Sequence, residues 1–197
     1  MRATLALFLF CASCAIAVTA CGGGGGTATP SADRTTGVAD VDTVIHALTS
    51  RDMANVLPLL QFYSTPCTTV LGGGGPPKCA AGQSEGTSVS VFPYSQCEPQ
   101  YLAEGSADIP FAALIPGGAT VYAVVKQTPI APSQTQRPLG SYGIVISFPT
   151  APNAHYAASI VSETAGRIVA IQDSCDGFAK DLVAKISNPD FLLAPPK

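Results

Sequence analysis

Three segments in the second half of the chain leave little choice of architecture. "ATVYAVVKQ" (119–127), "SYGIVISF" (141–148) and "AASIVSETAGRIVAIQ" (157–172) are rich in Val, Ile and Tyr. Such side chains suit a pleated, half-buried surface, and here they alternate at the period of two that a strand requires. The third segment is long enough for two strands, and Ala165-Gly166 in its middle predicts a hairpin turn. An earlier segment, "TSVSVFPY" from Thr87, sets Val89 and Val91 against Ser88, Ser90 and Phe92 and reads as a strand ending at Pro93. The chain is therefore expected to build a curved, mostly antiparallel sheet of about four to five strands.

The period changes on either side of these strands. In "VADVDTVIHALTS", Val41, Val44, Ile45 and Leu48 lie on one helical face, with Asp40 and Asp42 near the start to suit the helix dipole. "RDMANVLPLLQFY" repeats the spacing at Met53, Val56, Leu57 and Leu60 behind a capping Asp52, but Pro58 predicts a short or kinked helix. In "DGFAKDLVAKISN", Phe178, Leu182, Val183 and Ile186 share a face and predict a carboxy-terminal helix. Ser64 to Glu85 reads as loop, and "DIPFAALIP" has room for one helical turn. "TPIAPSQTQRPLG" is long for a hairpin connection and holds three prolines, which suggests a flap over one end of the sheet. Helices first and strands after them give an α+β domain over 38–197, its helices covering one sheet face.

The first 37 residues have no part in that domain. "LALFLFCASCAIAV" (5–18) follows a single Arg2 and ends in small residues, the form of a secretory signal peptide over 1–20. Val18-Thr19-Ala20-Cys21 resembles the bacterial lipobox, an aliphatic residue and two small ones before the cysteine that begins the mature protein. The resemblance implies cleavage before Cys21, a diacylglycerol thioether on its sulfur and an extracytoplasmic, lipid-anchored product. Gly22 rather than Asp after the cysteine is compatible with outward sorting where a second membrane exists. An ordinary signal peptide or an uncleaved anchor is the alternative. Residues 21–37, with five consecutive glycines and further Thr, Ser and Pro, read as a flexible linker.

Losing Arg2 leaves nine basic residues of the original 10 against 13 acidic ones, so the mature net charge is −4. Without a basic stripe, nucleic acid is not an expected partner. Four cysteines remain in the domain: Cys67, Cys79, Cys97 and Cys175. In an oxidising compartment an even number reads as two disulfides, with three possible pairings. The favoured set is Cys67–Cys79, closing the floppy "CTTVLGGGGPPKC", together with Cys97–Cys175. A metal site is the weaker reading, since no close Cys-x-x-Cys pair survives cleavage and only two histidines are present. No cofactor motif is found: "GGGGPP" lacks the Gly-Lys-Ser/Thr of a phosphate loop. "GQSEG" (82–86) has the letters of a nucleophile elbow but follows a loop and precedes a strand, the reverse of what that motif needs.

"VDTVIHALTSRDMANVLPLL" and "ETAGRIVAIQ" resemble the opening helices and closing strand of the NTF2-like (cystatin-like cone) superfamily. That resemblance implies a cone which, in its enzymes, often holds a His–carboxylate acid–base pair. His155 with Asp173 or Asp176 are the candidates here. His46, four residues from Asp42, reads as half of a solvated helical pair, and Tyr122 and Tyr142 as core aromatics. Three functions follow in order: a tethered, non-catalytic domain binding a small molecule or an envelope partner; an NTF2-like lyase, isomerase or hydrolase; and a purely structural envelope protein. A cone lined by Tyr, His and Asp would favour the second, and one filled by Ile and Phe the third.

Overall fold

A computed structural model describes residues 34–72, 74–95, 97–107, 109–112, 115, 117–131, 138–148, 158–174 and 177–197. The fold is α+β. Helices α1 (Ala39–Thr49), α2 (Met53–Val56), α3 (Ile109–Ala112) and α4 (Ala179–Ala184) pack on one sheet of eight strands. The strands are β1 (Tyr63–Pro66), β2 (Ser88–Ser95), β3 (Pro99–Ala103), β4 (Thr120–Lys126), β5 (Tyr142–Ser147), β6 (Ala158–Thr164), β7 (Arg167–Asp173) and β8 (Phe191–Leu193). Their order is β1-β2-β7-β6-β5-β4-β8, with β3 paired to β2 off that path. Every ladder is antiparallel except β2 with β7.

Five of these strands, β2 and β4–β7, are those the alternation predicts. The sheet is larger because β1, β3 and β8 join it without an apolar alternation of their own. The chain at Leu60 bridges Ile168 of β7, and Gln61 N–H donates to the Ile168 carbonyl at 2.9 Å. That contact delivers Tyr63–Pro66 to the first half of β2. β8 forms after Asn188, at φ 48°, reverses the chain beyond α4, and prolines on either side keep it short. β2 also runs past Pro93 to Ser95. Proline is tolerated there because β1 is in register with β2 only up to Val91 and β7 only from Tyr94. No ladder on that side needs a donor at position 93.

α1 buries Val41, Val44, Ile45, Ala47 and Leu48, the stripe read from the sequence. Its first turn is fixed by the Asp42 carboxylate, which accepts from the Thr36 N–H and hydroxyl, both at 2.7 Å, and from the Gly37 N–H at 3.2 Å. Arg34, further upstream, donates to the carbonyls of Tyr122 and Ala194. Residues 34–37, grouped by composition with the linker, are thus bonded to the domain. Asp52 caps α2 through the Ala54 N–H at 2.9 Å, and at Pro58 the chain tightens into a 3-10 turn, Leu57–Leu59. On the inner sheet face, α1 and its neighbours cover Ile144, Ile146, Val161, Ile168 and Ile171, with Phe62, Phe92 and Phe111 in edge or tilted contact at 6.2 Å.

The C-terminal helix departs from expectation in length, face and position. It spans six residues, Phe178 stands before it 56% exposed, and Ile186 falls beyond its end. Ala179 and Leu182 pack on Ala123, Val145 and Ala158, which alternate with the inner-face residues. α4 therefore lies on the outer face, and helices cover both sides of the sheet rather than one. Among the described residues no helix is long and apolar enough to cross a membrane.

Cys67 and Cys79 are disulfide-bonded, as expected, with Cα atoms 4.9 Å apart. The bridge pins a loop braced by Thr68 N–H to Pro77 O at 2.8 Å and Cys79 N–H to Thr68 O at 3.0 Å. Cys97 is exposed and forms no disulfide with another described cysteine. Its expected partner Cys175 lies outside the described residues, as do His155, Asp176 and Cys21.

Candidate functional site

Of the acid–base candidates, Asp173 is described, and it is withdrawn from solvent. It ends β7 directly opposite Ser159 of β6, on the inner face, and is 4% exposed. Ser159 Oγ donates to its Oδ1 at 2.5 Å, and Tyr94 Oη donates to its Oδ2 at 2.6 Å. Burial pushes the carboxyl above its ordinary value, and the two hydroxyl bonds draw it part of the way back. Both oxygens are engaged. The arrangement ties β2, β6 and β7 together at one point, which is structural chemistry rather than proton transfer to a substrate.

The other sequence candidates also resolve into local structure. His46 is exposed on α1, but Asp42 turns its oxygens to Thr36 and Gly37, so the expected Asp–His pair is replaced by a helix-start clasp. Ser84 sits in an exposed turn between Gly82 and Gly86, both at positive φ, and its carbonyl accepts from Thr87. Tyr142 packs against the main core and Tyr122 against the smaller one. Among the described residues no group of three or more His, Cys, Asp or Glu is placed to hold a metal.

A cleft lies on the outer face. α4 covers only the part of that face around Ala123, Val145 and Ala158, and Pro138 and Leu139 border the rest of β6 and β7. There Ile160 stands opposite Gln172 and Ser162 opposite Ala170, and all four line a cleft of about 300 Å³. Ser95 joins them from β2 through its parallel register with Gln172. One wall is Pro138 and Leu139, from the returning leg of the proline-rich connection. That leg is held by reciprocal bonds between Ile130 and Leu139 at 3.0 and 3.1 Å. Cys97 and Glu98 stand at the β2 end, and Glu98 is the one charged residue among the described lining.

Gln127 closes the opposite end. Its side chain lies over Gly143, where an added Cβ would come within 2.8 Å of Gln127 Nε2 and 3.2 Å of Ile160 Cγ2. Gln127 Oε1 is buried with no hydrogen-bond partner among the described residues. These residues were missed because apolar periodicity reports the buried side of a strand and is silent on the other. One signal was present: an isolated glycine within "SYGIVISF" marks a close approach by another group.

Compared with protein-family models, curated proteins and solved structures, the chain matches none.

Proposed function

We propose that this chain is a lipid-anchored, extracytoplasmic protein whose disulfide-stabilised α+β domain binds a small ligand or an envelope partner without catalysing a reaction. The cleft on the outer sheet face carries this reading: it is open, small and nearly free of charge among its described lining residues. Its volume falls at the lower end of the range for small-molecule sites. The carboxylate most suited to acid–base work is meanwhile held by Tyr94 and Ser159 away from solvent. The domain is read as a filled variant of the NTF2-like cone; that filling favours the purely structural reading for the inner face, so the binding reading rests on the outer-face cleft alone. In support, α1 breaks at Asp52 into α2, Gly166-Arg167 opens β7, and Phe92, Phe111, Ile144 and Ile146 occupy the space between helices and sheet.

The anchor rests on Val18-Thr19-Ala20-Cys21 and the glycine-rich linker after it. Two or three acyl chains hold firmly where one is marginal, since each buried methylene contributes about 0.8 kcal/mol. Labelled fatty acid should enter the wild-type chain expressed in a bacterium and fail to enter Cys21→Ser; equal labelling of the variant removes the anchor from this reading. The second disulfide, Cys97–Cys175, belongs to the same proposal. Ser95 and Gln172 are in parallel register, so β2 and β7 leave the sheet at the same end, two and three residues before these cysteines. Non-reducing peptide mapping of the exported protein should find the two joined, and Cys97 alkylated as a free thiol would refute it.

A further inference from the structure

We infer that the outer-face cleft takes a short, uncharged peptide segment with an aliphatic side chain, an inference that rests on the binding reading above. The argument comes from the order of side chains along the floor. Ser95 and Gln172 sit side by side at the β2 end, and Gln127 lies at the β5 end over Gly143. Between these polar ends the floor is Ile160 and Ala170, with Ser162 between Ala170 and Gly143 and with Leu139 as a wall. Neighbouring strands are spaced by about 4.8 Å, so the three steps from β2 to β5 span roughly 14 Å. An occupant of that length needs hydrogen-bonding groups at both ends and an apolar middle. An extended segment of about four residues has that length, and two peptide groups flanking one aliphatic residue are its smallest part with hydrogen-bonding groups on both sides of an apolar one.

Gln127 sets the polarity of one end. Its Oε1 is a buried acceptor without a donor among the described residues, a state that leaves free energy to be recovered by an incoming N–H. The residue is half-buried and lines the cleft, so an occupant lies beside its side chain. At the other end, the Ser95 hydroxyl and the Gln172 amide supply donors for a carbonyl. Anionic ligands meet no cation among the described lining residues, and Glu98 opposes them at the rim.

The test uses the full chain in detergent micelles, isotope-labelled, with N-acetyl-leucine methylamide as probe and the shifts of Ser162, Ala170 and Gln172 as readout. The methylamide is expected to perturb these resonances saturably. The dimethylamide, which lacks the terminal N–H, should bind about tenfold weaker, as should N-acetyl-leucine with its free carboxylate. In Gln127→Leu the methylamide and dimethylamide should become equal, and because the probe series is also read on the wild type, loss of folding in that variant does not blunt the test. Equal binding of the two amides to the wild type, or tighter binding of the carboxylate, overturns the peptide inference. If glucose or 2-butanol perturbs the same residues while the blocked leucine does not, the peptide class falls and the cleft stands. If no probe perturbs them, both fall.

Discussion

Glu163 offers a direct test of how burial and charge are balanced in this fold. Its side chain is 0% exposed at the end of β6. One carboxylate oxygen, Oε1, accepts from the Gly166 N–H at 2.7 Å, whereas Oε2 is buried without a partner. Burial pushes the carboxyl above its ordinary value of 4.5; the Gly166 bond pulls it down, and the negative charge of Asp40 on α1 pushes it up again. A group whose folded value is raised contributes its stability in full below the unfolded value, and loses it as pH rises through the folded value. Wild-type stability should therefore fall as pH climbs above 4.5, as this buried carboxyl is forced to ionise beside Asp40.

Glu163→Gln keeps an acceptor for Gly166 and removes the charge. The amide Nε2 takes the unpartnered place of Oε2, so the gain comes from the lost charge, which costs more to bury than a neutral group. At pH 8 the variant should be more stable by about 1–2 kcal/mol. For a chain of this length that corresponds to a melting temperature higher by about 2–4 °C per kcal/mol. At pH 4, where the wild-type carboxyl is already neutral, the difference should shrink toward zero. Asp173 is also raised by burial and tilts the whole stability curve in the same direction. It is common to both proteins and cancels in the comparison. Thermal melts of the two chains from pH 4 to pH 8 decide the matter. A difference that does not vary with pH, or a Gln variant less stable at pH 8, would refute the reasoning.

Two further outcomes are expected. Ala165 sits at φ 49° in the β6–β7 turn, beside Gly166 at φ 74°, a left-handed conformation that costs a residue with a Cβ roughly 1–2 kcal/mol. Ala165→Gly should recover part of that, about 0.5–1 kcal/mol after the added freedom of the unfolded chain is counted, and an unchanged or lower denaturant midpoint would show the turn to be relaxed. Reducing Cys67–Cys79, which closes a loop of separation 12, should lower stability by about 3 kcal/mol on the chain-entropy model. The same loss should appear in the Cys67→Ser/Cys79→Ser double variant without reductant, and a double variant as stable as the wild type would mean the backbone bonds at Thr68 hold the loop unaided.

What could be read from the sequence and what could not divide along one physical line. Val41, Val44, Ile45 and Leu48 announce α1, and the alternation around Ile144 and Ile146 announces β5, because burial against a core imposes a period on the residues that face it. Tyr63–Pro66 and Phe191–Leu193 carry no such period. They become strands because a neighbour presents unpaired backbone groups to them, as Ile168 does through Gln61 and β4 does for β8. Backbone pairing of that kind leaves little trace in side-chain chemistry. The short α4 follows the same rule in reverse: its apolar residues announced a helix, but which sheet face it would cover depended on where β4, β5 and β6 left Ala123, Val145 and Ala158 exposed. The cleft is the complement of that choice. Six residues of helix cannot cover the outer face of a sheet this wide, so Ile160, Ser162, Ala170 and Gln172 line a cleft walled by Pro138 and Leu139 instead of packing under α4. Asp173 illustrates the converse limit. Only the superfamily resemblance made it a candidate acid; the period of two places it on the same side as Val161 and Ile171, inside the core, where Ser159 and Tyr94 supply the hydrogen bonds a buried carboxylate requires.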